Sequence, residues 1–173
     1  MIIQGPMGIV ADRATGTKEA VWIAVENGST AAISKSMLCC WQDLSLDNTS
    51  VSGILQNTKG LRVTIAPAGL ALFTCAGFAQ KDIALTTAGT RGAIALLQTY
   101  GWRDEVFVDT AGADNDTIIG GLLIPSTDTA GKVQGCSNNA APTGAEVANA
   151  VGSASSVVAT NATSTVGAFI KIR

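Results

Sequence analysis

Short apolar runs that stop at Ala-Gly dominate the second half of this chain. "LRVTIA" (61–66), "GLALFT" (69–74), "IALTT" (83–87), "AIALLQTY" (93–100), "EVFVD" (105–109) and "TIIGGLLI" (117–124) succeed one another with turns between them. Ala-Gly falls at Ala68, Ala76, Ala88, Ala111 and Ala130, each time where an apolar run starts or stops. In the clearest run, Leu61, Val63 and Ile65 alternate with Arg62 and Thr64. That period of two sends successive side chains to opposite faces of a strand. Turns at intervals of roughly 8–23 residues suit an all-β sandwich or barrel. Glycine supplies the positive φ that tight turns demand, and a small neighbour leaves the turn unhindered. The residues around the Ala-Gly copies match at no fixed period, so they read as turn chemistry and not as a sequence repeat.

The flanking segments fit the same class. Residues 1–18 are rich in glycine, carry Pro6 and have no period, which predicts an extended arm. "EAVWIAV" around Trp22 predicts a strand, and Asn27-Gly28 after it is a strong hairpin signal. "TAAIS" and "MLCCWQ" supply the next strand or two, and residues 43–60 turn polar, as a long loop does. One short helix is expected near 143–151. Thr143 and Glu146 have the spacing of a capping box, and Gly152 stands where a helix can close. "VGAFIKIR" ends the chain on a strand pattern, with Val166, Ala168, Ile170 and Ile172 on one face. The expectation is therefore a mainly β fold. It consists of an extended arm (1–18) and a single β domain (19–173), an antiparallel sandwich or barrel of jelly-roll-like or tulip-like form with one short helix.

Composition removes several kinds of chemistry. The 173 residues contain no histidine, so the commonest general base and metal ligand is missing. Charged residues make up only 14%, below the ~25% of ordinary soluble domains, which suggests that much of the surface meets other protein. A net charge of -2 without a basic stripe argues against nucleic acid. No apolar window reaches the ~18 residues of a membrane span, and the first residues lack the pattern of a secretory signal. Cys39 and Cys40 are adjacent and cannot chelate zinc as a C-x₂₋₄-C pair does. On a strand they point to opposite faces. The four cysteines, Cys75 and Cys136 included, read as small buried hydrophobes, with one disulfide (for instance Cys75 with Cys136) as the alternative.

The tetrapeptide DTAG, at Asp109–Gly112 and Asp128–Gly131, resembles the aspartic-protease signature, in which two carboxylates about 3 Å apart share a proton. The fit fails locally. Ala111 and Ala130 stand between the threonine and the glycine, and "TIIGG" follows Asp109 too soon to leave room for a flap. Asp114, Asn115 and Asp116 miss the spacing of an EF-hand loop, and a solvated acidic turn is the plainer reading. No phosphate-binding glycine loop occurs. Lys35, Lys59 and Arg62 are scattered and read as solvated charges. The expectation is a protein without catalytic, cofactor or metal residues, in which Trp22, Trp41 and Trp102 anchor core or interface.

Four segments carry a family likeness: "GPMGIVADRATGT", "AGLALFTCAGFAQKDIALTTAGTRGAI", "IGGLLIPSTDTAGKVQG" and "VGAFIKIR". Together they resemble the capsid decoration, or cement, proteins of tailed bacteriophages, which are small, charge-poor chains rich in Gly, Ala and Thr. The resemblance implies a non-enzymatic protein on the outer surface of a virion. Its partners would be the major capsid protein and other copies of itself, as a dimer or trimer, without nucleic acid or membrane. The binding residues expected on this basis are Ile2, Ile3, Pro6, Met7 and Ile9 of the arm, with Trp41 and Trp102. A tail or fibre component, or a secreted β module, is the alternative.

Overall fold

A computed structural model describes residues 2–4, 9–14, 18–29, 31–41, 62–69, 75–85, 93–110, 116–136, 142–158 and 164–172, with side chains from Ala20 on. The fold is mainly β. Its strands are β1 (Ile2–Gln4), β2 (Ile9–Ala14), β3 (Lys18–Asn27), β4 (Leu38–Trp41), β5 (Arg62–Ile65) and β6 (Cys75–Ala79). After them come β7 (Ile94–Val108), β8 (Leu122–Pro125), β9 (Val133–Gly135), β10 (Gly152–Ala154) and β11 (Ser164–Lys171). One helix, α1 (Gly144–Asn149), carries the expected capping box, with Thr143 and Glu146 bonded reciprocally. It ends at Ala150, and Gly152 already belongs to β10. The polar stretch 43–60 and the carboxamide and carboxylate of Asn115 and Asp114 lie outside the described residues.

The eleven described strands join one mixed sheet, which closes on itself twice. In the first ring the order is β3-β5-β4-β6-β7, with β7 returning to β3. In the second it is β7-β9-β8-β10-β11, with β11 returning to β7. The 15-residue β7 is common to both, its first half in one barrel and its second half in the other. The two runs "AIALLQTY" and "EVFVD" are thus one strand, carried through Gly101 at φ +100°. Each ring has one parallel pairing, between its first and third strands in chain order, and is otherwise antiparallel.

The rings also agree residue by residue. Cys39 faces Ile65 and Gly77 in the first, as Leu123 faces Gly135 and Gly152 in the second. Trp22 pairs with Gln98 and Val25 with Ala95; Trp102 pairs with Phe169 and Val106 with Val166. An isolated bridge joins Ile33 to Ile83, and another joins Thr117 to Val158. Even the turns match: Met37 N–H donates to Ser34 O with Ser36 at φ +71°, and Gly121 N–H donates to Ile118 O with Gly120 at φ +74°. The chain is an internal structural duplication. It has no fixed sequence period because the connections differ, residues 42–61 against 126–132 between the second and third strands of each ring.

Each barrel has its own core. Val25, Ile33, Cys39, Val63, Ala76, Ala79, Ile83, Ala95 and Leu97 fill the first. The second is larger and takes Val106, Leu123, Val133, Val151, Ala154, Val158, Val166, Ala168 and Ile170. It also takes Leu38, Cys40 and Phe78 from the outward faces of β4 and β6, so the first barrel's wall is part of the second barrel's core. Cys39 and Cys40 therefore face different cores, as the pleat requires.

Two expectations are corrected. Asn27-Gly28 does not make a hairpin, because β3 and β4 are separated by β5. Asn27 is fully buried instead; its Oδ1 accepts Ser29 N–H at 2.8 Å, and its Nδ2 donates to Ala31 O and Ala84 O. The side chain thus closes a turn over itself and ties two distant segments together. Arg62, read as solvated, is 5% exposed and lies 4.0 Å from the buried Glu26 on the parallel-paired β3. Its outward face in the first ring is covered, so alternation alone gave the wrong solvent side.

Candidate functional site

The residues expected to bind a partner fall in three places. Ile2, Ile3 and Ile9 lie in β1 and β2, which pair with each other and then with β3, so the extended N-terminal segment continues the sheet. Pro6 and Met7 lie outside the described residues. β1 is the one described strand with a single partner; every other strand has a neighbour on both sides. Closure into barrels removes sheet edges, and an edge that remains presents unpaired backbone N–H and C=O groups. Trp41 is half-buried and packs on the first core.

Trp102 stands at the junction of the barrels. Its Nε1 donates to Asp104 Oδ1 at 2.7 Å, and with Trp22 it flanks a cleft of about 440 Å³. Arg103 forms the floor, 7% exposed. Its Nε donates to Glu105 O at 2.9 Å, Nη1 to Gln98 Oε1 at 3.3 Å, and Nη2 to Ser36 Oγ at 3.2 Å and to Ala79 O. Burial lowers the Arg103 pKa, opposed by the nearby Glu105, Cys39 and Asp104. Lys35 Nζ adds an exposed pair with Glu105 Oε2 at 2.8 Å. The second barrel's first strand is thereby latched onto the first barrel through Ser36, Gln98 and Lys35. Sequence reading missed Arg103, because a lone arginine between Trp102 and Asp104 looks like any surface charge.

The two DTAG copies place their aspartates in different surroundings. Asp109 is buried at the end of β7, where its Oδ2 accepts Ser126 Oγ–H at 2.7 Å. That same Ser126 Oγ accepts the backbone N–H of Asp128 and Thr129. Asp128 is exposed, so the two carboxylates lie in different environments and do not form a buried pair. Gly131 takes φ +76° under Ile65 and Met37. Among the described residues no group of three or more His, Cys, Asp or Glu side chains could hold a metal ion, and no helix is long and apolar enough to cross a membrane.

No disulfide joins the four cysteines, of which Cys39 and Cys40 are buried and Cys75 and Cys136 half-buried. Burial first, then the neighbouring Cys40, pushes Cys39 and Cys75 from about 9 up to about 12. Burial raises Cys40 as well, against a backbone hydrogen bond that lowers it. A thiol whose folded pKa is raised contributes stability below its unfolded pKa and loses it as pH climbs toward the folded value. Urea midpoints are therefore expected to fall between about pH 9 and pH 12, and to fall less in a Cys39→Val, Cys75→Val variant. An equally steep fall in that variant would assign the effect to other groups.

No family model, no curated protein and no solved structure matches this chain.

Proposed function

We propose that this chain is a non-enzymatic structural protein of a virion, one that binds the outer surface of a bacteriophage capsid and stabilises the shell. The observation that carries the reading is the sheet's closure. Two rings close nine strands, β2 is paired on both sides, and among the described strands β1, with Ile2 and Ile3, is left with a single partner. An exposed strand offers a row of main-chain donors and acceptors to a neighbouring protein's sheet, the mode of strand addition. The partner is the major capsid protein. Each bound copy opposes shell opening by mass action, since it binds the closed shell and not the separated subunits. A surface with few charges loses little by desolvation in such a contact. The net charge of -2 suits the outside of the shell, away from packaged nucleic acid.

Copy number tests this. Particles purified on a density gradient are expected to hold the chain in numbers on the order of the shell protein, and deletion of residues 1–16 is expected to abolish its binding to them. A handful of copies per particle would favour a tail or fibre component. Absence from particles, or binding that survives the deletion, would overturn the proposal as stated.

A further inference from the structure

Two of the four cysteines stand directly opposite each other in the wall that the first barrel lends to the second barrel's core. Strands β4 and β6 pair antiparallel, with Leu38 facing Phe78, Cys39 facing Gly77 and Cys40 facing Cys75. The step from Gly77 to Cys75 passes over Ala76, the extra residue of a β-bulge. Regular pairing would set Ala76 opposite Cys40. The bulge instead sends Ala76 into the first core and brings Cys75 round to the second. Re-aiming a side chain is what such bulges do. Cys40 and Cys75 therefore share one face of the sheet and one core.

Residues directly opposed in an antiparallel pair have Cα atoms about 4.5–5.5 Å apart, inside the range of about 4.4–6.8 Å that disulfides span. The backbone spacing thus suits a bond between these two thiols. Cys40 Sγ contacts Ile65 O at 3.9 Å, on the side of β5, a weak hydrogen bond with little to lose when the side chain turns toward Cys75. The other two cysteines are placed elsewhere. Cys39 points into the first core. Cys136 follows β9 in the second ring, where it lines a separate pocket with Asp116 and Pro142. Exposure distinguishes the members of the pair: Cys40 is 4% exposed, whereas Cys75 is half-buried and open to a reagent.

We propose that Cys40 and Cys75 form a redox site, closed to a cross-strand disulfide by a small-molecule disulfide such as oxidised glutathione. The more open Cys75 reacts first. Its thiol gives its proton to solvent, and the thiolate attacks one sulfur of the oxidant, releasing one small thiolate and leaving a mixed disulfide. Cys40 then loses its proton and attacks Cys75 Sγ, expelling the second small thiolate. The two released thiolates take up the two protons. Two protein thiols are thus oxidised to one disulfide, and one small disulfide is reduced to two thiols. Burial holds the Cys75 thiol protonated, so closure is slow at neutral pH. The bond staples β4 to β6 and closes the segment between them, β5 included, into a covalent loop. Such a loop restricts the unfolded chain, so the oxidised form is the more stable one. The firmness of the wall that both barrels share thereby depends on the redox surroundings.

The test incubates the folded, full-length protein with oxidised glutathione at about pH 8.5, near the ordinary thiol pKa, beside a sample kept in dithiothreitol. Thiols titrated after unfolding are expected to fall from four to two, with the intact mass lower by two hydrogens and no glutathione retained. The thermal midpoint of the oxidised form is expected to stand roughly 5–10 °C above that of the reduced form. Cys39→Ala is expected to close as the wild type does, which also settles which of the two adjacent cysteines is linked. Cys40→Ala is expected to stop at the mixed disulfide, with glutathione held on Cys75, and Cys75→Ala to gain neither bond nor stability. The half-buried site of Cys75 keeps this last variant informative where a core substitution at Cys40 disturbs folding. Four titratable thiols after incubation, or glutathione that stays on the wild-type protein, would overturn the proposal. So would a disulfide that persists in Cys40→Ala or Cys75→Ala, or a midpoint that falls on oxidation. No particle enters the experiment, so its outcome is separate from that of the capsid-binding test.

Discussion

Replacing Gly77 with alanine is expected to lower the thermal midpoint by roughly 10 °C, and Gly152→Ala to lower the same single transition by a smaller amount. The two glycines hold equivalent places in the two barrels, in strands β6 and β10. A Cβ on Gly77 would stand 2.7 Å from Gln98 O and 3.0 Å from Leu97 Cβ; on Gly152 it would stand 2.5 Å from Phe169 O. The obstacle in both is backbone of the adjacent strand, which cannot swing away as a side chain can. Gly77 adds φ +148°, a conformation that L residues rarely adopt. Overpacking costs about 1–3 kcal/mol and backbone strain about 1–3 kcal/mol more, so Gly77→Ala carries both penalties and Gly152→Ala the first. The cause is curvature. Closing a ring with five strands requires sharp coiling, and glycine is the residue that lets neighbouring strands approach where the sheet bends. A single calorimetric transition is expected in each variant, because Leu38, Cys40 and Phe78 of the first barrel belong to the second barrel's core. Two separated transitions, with only one moved by each substitution, would show that the barrels unfold independently.

How much of this was legible beforehand depends on the range of the interaction. Strands with clean alternation were readable, as in "LRVTIA", "EAVWIAV" and "VGAFIKIR", because a period of two is a local property. So was the capping box of α1, whose two partners are three residues apart. The duplication was not. Val25 and Val106, Val63 and Val133, or Ala79 and Ala154 are matched core positions, but valine and alanine are common here and the intervening loops differ in length. Only the pairing registers reveal the equivalence. The Asn27-Gly28 signal was misleading for a related reason. A buried Asn side chain satisfied by Ser29, Ala31 and Ala84 looks in sequence like a turn residue facing water. Trp102, expected as a core or interface anchor, lines the junction cleft, and its neighbour Arg103 carries no signal in the sequence that sets it apart from a surface charge. Ile118-Ile119 reads in sequence as the start of a buried strand. It is in fact a turn, identified by the positive φ of Gly120.

The second large effect is expected at Arg103. Its guanidinium spans four acceptors that come from β6, β7 and the turn before β4: Glu105 O, Gln98 Oε1, Ser36 Oγ and Ala79 O. Arg103→Met keeps much of the stem's volume and removes every one of these donors. Each buried acceptor left without a partner costs about 1–3 kcal/mol, and since Ala79 O keeps the N–H of Ser36 the loss falls on the other acceptors. Arg103→Lys is expected to recover little. An ammonium is a point donor, whereas the acceptors here are arranged for a planar fork with bonds leaving Nε, Nη1 and Nη2 in different directions. The tryptophans make the experiment direct, since Trp22 and Trp102 both line the cleft that Arg103 floors. Urea titrations followed by Trp fluorescence and by circular dichroism should give coincident curves in the wild-type protein. In Arg103→Met both should shift to lower urea, with the fluorescence curve leading if the junction opens before the barrels do. A midpoint within experimental error of wild type would mean that the latch between the barrels contributes nothing, and that their union rests on the shared strand and the shared core alone.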